Sequence, residues 1–130
     1  NLHFDTIAGS EAKSIALLQT VAQRFGQERY TVMRKGVKNY MQNPLTVSFA
    51  SITTAGEQTL VLDGLDVHMV RGKNVLLVDD VVSTGGTLIA SRELIEKAGG
   101  HVVLCASVLL ENEEPPVSDL VFLERIPFPA

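Results

Sequence analysis

The chain has 130 residues, a formal net charge of -4, 45% hydrophobic and 20% charged side chains; this fits one globular domain and argues against a disordered chain or a solenoid array. Its longest near-continuous apolar stretch, residues 102–110, is too short to span a bilayer, and residues 1–10 lack a basic flank followed by a long apolar run, so a soluble, non-secreted protein is expected. The single Cys105 excludes an internal disulfide, the three histidines have no partner at metal-ligand spacing, and the mildly acidic balance disfavours nucleic acid, which together point to a reducing cytoplasm.

Residues 2–8 predict a short strand and residues 11–25 a helix, with Ile15, Leu18, Ala22 and Phe25 spaced along one face. Gly26 is placed to cap that helix, and residues 30–33 predict a second strand. Residues 34–43 are basic and irregular, 45–51 alternate like a strand, 53–58 read as a turn, and 59–62 resume the apolar pattern, an excursion from the sheet. Residues 73–78 predict a buried strand, 84–98 a helix stopped at Gly99-Gly100, and 102–110 another wholly apolar strand. After a linker at 111–116, residues 120–123 make a last strand, and Pro127 and Pro129 end regular structure. Repeated β-α units with right-handed crossovers imply an open, mainly parallel α/β sheet flanked by helices, whose ligands bind at the carboxyl ends of the strands. The loops after Ala8, Met33 and Val78 are therefore where chemistry is expected.

Residues 75–88 read VLLVDDVVSTGGTL: an apolar strand, two adjacent acids, two apolar residues, then a small hydroxyl and glycine turn opening a helix. Ser83, Thr84, Gly85, Gly86 and Thr87 can present backbone N–H groups and hydroxyls at a helix N-terminus, where the dipole favours an anion, so a phosphate fits without a lysine. Asp79 and Asp80 would repel that phosphate on contact but suit the hydroxyls of an attached sugar, or a magnesium ion held directly or through water. A phosphorylated ribose satisfies both halves.

This segment resembles the phosphoribosyl diphosphate (PRPP) signature of the type I phosphoribosyltransferases, over about fourteen contiguous positions. The resemblance runs from about Phe4 to Leu123 and implies that family's fold with a flap hairpin and a partial hood. It implies transfer of the phosphoribosyl group from PRPP to a nitrogenous base with magnesium on the diphosphate, Asp79 and Asp80 holding the ribose hydroxyls and favouring the cationic sugar, and residues 83–87 anchoring the 5′-phosphate. Glu11, Ala12 and Lys13 resemble the family's diphosphate loop, in which a non-proline cis peptide is expected at Glu11-Ala12; Ser14 stands where the family usually has glycine. Arg34, Lys35 and Lys38 resemble the Arg-Lys-x-x-Lys segment of the adenine-type branch and would meet the leaving diphosphate.

Residues 44–58 correspond to the flap that covers the site, with a polar tip at Ser51, Ile52, Thr53 and Thr54. Adenine-type enzymes carry Glu-Tyr-Gly here, whereas this chain reads Thr54-Ala55-Gly56-Glu57; Glu57 is either a shifted replacement for the catalytic carboxylate or a solvated turn residue. Tyr40 and Phe122 could flank a base but suit packing better, His68 and His101 suit the surface, and Cys105 suits the core. Residues 117–127 resemble the C-terminal hood of purine enzymes, which favours a purine, adenine first. The chain opens at Asn1 close to the first core strand, so a single domain over residues 1–130, trimmed of an N-terminal hood segment, is expected. A homodimer follows from the resemblance alone, with no membrane and no nucleic-acid partner. Two other classes stay open: a regulator that senses PRPP without consuming it, and an inert subunit of a larger assembly.

Overall fold

The computed structural model describes residues 3–50 and 56–127. Strand β1 (Thr6–Ser10) is buried along its whole length, as a central strand of a parallel sheet must be. The chain leaves it through α1 (Ser14–Arg24) and returns in β2 (Thr31–Met33), parallel to β1 on one side. It then leaves the sheet in an antiparallel hairpin, β3 (Leu45–Ala50) and β4 (Glu57–Leu62), and passes through a 3-10 turn at Gly64–Met69. It re-enters on the far side of β1 as β5 (Asn74–Val82), and α2 (Gly86–Lys97), β6 (His101–Leu110) and β7 (Leu120–Arg125) follow. The result is a five-stranded sheet in the order β2-β1-β5-β6-β7 with every pairing parallel.

Successive residues of β5 point to opposite faces, and each face has its own cover. Leu76 and Val78 pack with Ile7 against Leu18 and Ala22 of α1. Val75 and Leu77 pack against Leu88, Leu94 and Ile95 of α2, joined by Val47, Leu60 and Leu62 from the hairpin. The two helices lie on opposite faces because right-handed crossovers to the left and to the right of β1 leave the sheet in opposite senses. Both end in the same way: at Gly26 (φ 69°) and Gly99 (φ 95°) the chain turns left-handed, and the N–H of the following residue closes on a carbonyl of the last turn, Gln27 on Ala22 at 2.8 Å and Gly100 on Ile95 at 2.9 Å.

Several boundaries move from their sequence-based positions for physical reasons. Helix α1 starts at Ser14; Leu18 and Ala22 of the expected face are buried, but the stripe begins at Ser14, with Ile15 only partly buried and Phe25 exposed. Phe25 caps the helix and is 57% exposed, its ring edge-on to Phe4 at 5.2 Å. Strand β5 runs past Val78 because its pairing with β6 continues to Val82 opposite Leu110. Glu57 and Gln58, expected in a turn, are the first residues of β4, with Glu57 opposite Ala50. The expected flap tip, Ser51, Ile52, Thr53 and Thr54, lies outside the described residues, as does Ala55. Residues 120–125, from the segment that resembles a hood, form the edge strand β7. No helix among the described residues is long and apolar enough to cross a membrane.

Candidate functional site

Strand order reverses between β1 and β5: the chain builds leftward from β1 first and rightward from β5 afterwards. Loops leaving the carboxyl ends of these two strands must part there, and an open α/β sheet binds ligands in the crevice so formed. A cleft of about 630 Å³ lies at that point. Asp79 to Val82 from the end of β5, Ser10 to Ser14 from the end of β1 and the loop after it, and Ser83 to Leu88 at the start of α2 line it, with Lys35, Phe49 and Glu111.

The turn from β5 into α2 is built to leave N–H groups free. Gly85 precedes the helix in a left-handed conformation (φ 88°), and the first turn of α2 carries neither a side-chain cap nor an acidic residue. N–H groups that begin a helix unpaired therefore face the cleft with the positive end of the dipole, a site for a phosphate. Gly85 is required twice over, since a Cβ there would also fall 2.4 Å from Cβ of Pro116. The residues after β6 brace the turn from behind: Asn112 Nδ2 donates to the Ser83 carbonyl at 3.2 Å, and the Ser83 hydroxyl lies 3.4 Å from Glu111 Oε1. Glu111 and Phe49 were not singled out in the sequence, because neither belongs to a contiguous motif.

The two acids differ in environment. One oxygen of Asp79, Oδ1, accepts the Ser14 hydroxyl at 3.0 Å and the Asp80 N–H at 2.8 Å. Burial pushes Asp79 up to about 7, with its neighbour Asp80 adding to the rise against the Ser14 bond. Burial also acts to raise Asp80, but the hydrogen bond from Asp79, backbone N–H donors and the positive charge of Lys13 outweigh it and hold this carboxyl below its ordinary value. Of the two, Asp79 is thus the carboxyl whose surroundings favour keeping a proton, and Asp80 the one whose surroundings favour the anion.

The loop after β1 carries the cis peptide at Glu11-Ala12 that the resemblance implied. Glu11 turns toward the loop after β2: Oε1 lies 2.7 Å from Arg34 Nε, and Oε2 accepts the Lys35 N–H at 2.9 Å. Lys13 and Lys35 are thereby presented to the cleft, while Arg34 is engaged with Glu11 and does not line it. Lys38 and Glu57 also lie off its wall. His68, His101 and Tyr40 are exposed, Cys105 is fully buried, and Phe122 packs at the edge of the core.

Among the described residues no group of three or more histidine, cysteine, aspartate or glutamate side chains converges. The described residues by themselves therefore offer no closed metal cage. An acidic side chain such as Asp80 is nonetheless compatible with magnesium, which keeps waters and takes the rest of its ligands from substrate phosphates.

Residues 1–125 match the family model described as phosphoribosyl transferase domain. The chain is 37% identical over 107 residues to an adenine phosphoribosyltransferase of Corynebacterium jeikeium, covering 78% of this chain and 47% of the relative. It is 34% identical over 102 residues to a hypoxanthine/guanine phosphoribosyltransferase of Methanothermococcus okinawensis, covering 78% of this chain and 51% of the relative. The chain thus spans about half the length of the curated relatives it matches. Among solved structures, the adenine phosphoribosyltransferase of Thermoanaerobacter pseudethanolicus superposes with a TM-score of 0.82 at 25% identity, over 95% of this chain and 72% of that one.

Proposed function

The chain belongs to the phosphoribosyl transferase domain family, and from that membership we propose that it transfers the 5-phosphoribosyl group of PRPP to a purine, adenine first, with release of diphosphate. The observation that carries this reading is one cleft holding an acidic pair at the end of β5 and, directly after it, an uncapped helix start. A sugar that bears a phosphate needs both.

In this reading residues 83–87 bind the 5′-phosphate through backbone N–H groups and hydroxyls. Asp79, oriented at Oδ1, and Asp80 beside it hold the ribose hydroxyls. As the bond from the anomeric carbon to diphosphate breaks, the ribose becomes cationic and the diphosphate gains negative charge. Asp80 stabilises the first and Lys13 and Lys35 the second, in a site where neither has to reorganise. Arg34 contributes through Glu11, which holds the two loops in register. Magnesium, when bound, neutralises part of the diphosphate charge, and Asp80 is the residue that would hold it. Val81, apolar yet 38% exposed, and Phe49 line the cleft and offer apolar surface to a base. No covalent intermediate with the chain is required, since positioning and fixed charge supply the catalysis.

Residues 1–130 act as one domain, in a reducing cytoplasm and as a homodimer; the lone buried Cys105 suits that compartment. Calorimetric titration of PRPP with magnesium tests the reading. Saturable binding that Thr87→Val weakens is expected, and a folded protein that takes up no PRPP contradicts it.

A further inference from the structure

Ser14 is the first residue of α1, one position past the N-cap Lys13, and its hydroxyl points across the fold to Asp79 Oδ1, 65 positions away in sequence and 3.0 Å away in space. Ser14 is 2% exposed and heads an otherwise apolar stripe that continues with Leu18 and Ala22. A hydroxyl buried there costs stability unless it has a partner, and the partner it has is the carboxyl in the cleft wall. Because Oδ1 also takes the Asp80 N–H, two donors from two different elements fix the orientation of Asp79. Ser14 directly follows the loop that carries Glu11, Ala12 and Lys13, so the tie joins that loop to the acidic pair across the crevice between β1 and β5.

We propose that Ser14 is a positioning residue, whose hydroxyl sets the Asp79 carboxyl toward the ribose hydroxyls of PRPP and locks the loop after β1 to the end of β5. The inference rests on the PRPP reading above.

A double-mutant cycle tests it, with calorimetric PRPP affinity and steady-state constants for Ser14→Ala, Asp79→Ala and the pair, each checked for wild-type melting behaviour. Ser14→Ala is expected to weaken PRPP by about fivefold or more, to raise KM for PRPP and to leave KM for the base within about twofold. In the Asp79→Ala background the same change is expected to add less than about twofold. A general structural loss would move both substrates together and would persist in that background. Equal effects of Ser14→Ala in the two backgrounds, or wild-type affinity in Ser14→Ala, overturn this inference and leave the functional reading standing. A wild-type protein that binds no PRPP overturns both.

Discussion

Glu11 joins two loops that sequence leaves far apart: its Oε1 is 2.7 Å from Arg34 Nε, and its Oε2 accepts the Lys35 N–H at 2.9 Å. The Arg34 Nε–H has no hydrogen-bond partner of good geometry, so the first contact is an ion pair and the second a directed hydrogen bond. Glu11→Gln should therefore lose only the ion pair, at about 0.5 kcal/mol for a partly exposed couple. Glu11→Ala loses both and should cost about 1.5–2 kcal/mol in urea unfolding. Equal losses in the two variants would assign the whole effect to charge and remove the backbone bond from the account.

The acidic pair makes stability depend on pH with a definite sign. Asp79 ionises near 3.8 in the unfolded chain but keeps its proton to about 7 in the fold, chiefly through burial. The unfolded chain gives up this proton first, so stability is fully present below the lower value, falls as pH rises toward about 7, and levels off beyond it. Asp79→Asn has no such proton to lose and should remove this decline. Urea midpoints from about pH 4 to about pH 8 for both proteins check it; an identical slope in the variant contradicts the assignment.

Gly85 combines a left-handed backbone with a neighbour, Pro116, that leaves no room for a Cβ. Gly85→Ala should cost about 2 kcal/mol or more in thermal unfolding. Adding Pro116→Gly removes the clash but not the backbone strain, so it should recover only part of the loss. Full recovery would show that φ contributes nothing there.

Lys35 lines the cleft and Lys38 does not, although both belong to one basic run. Lys35→Ala should weaken diphosphate binding by about tenfold, as expected for one charged hydrogen bond, and Lys38→Ala by no more than about twofold. Calorimetry with magnesium diphosphate separates them, and a larger effect at Lys38 would mean that the loop after β2 rearranges on binding.

What the sequence made legible follows from where the information sits. The acids and the glycine turn are contiguous, so residues 79–87 could be placed at a strand end and a helix start from their order alone. Strand β5 could not be bounded that way: Asp79 and Asp80 break the apolar run, yet pairing with β6 holds the strand to Val82. The buried face of α1 was misjudged at both ends, since Ser14 looks polar until its partner Asp79 is known and Phe25 looks apolar although the chain turns outward at the cap. Glu11 and Arg34, too, show their relation only once β1 and β2 lie side by side.

Base-dependent release of diphosphate from PRPP and magnesium, screened with adenine, hypoxanthine, guanine, uracil and orotate, tests the central claim most directly. The account predicts release with a purine, adenine foremost, and its loss in Asp80→Asn with the fold intact. Silence with every base from a folded protein that still binds PRPP tightly would contradict it and describe a protein that senses PRPP without consuming it.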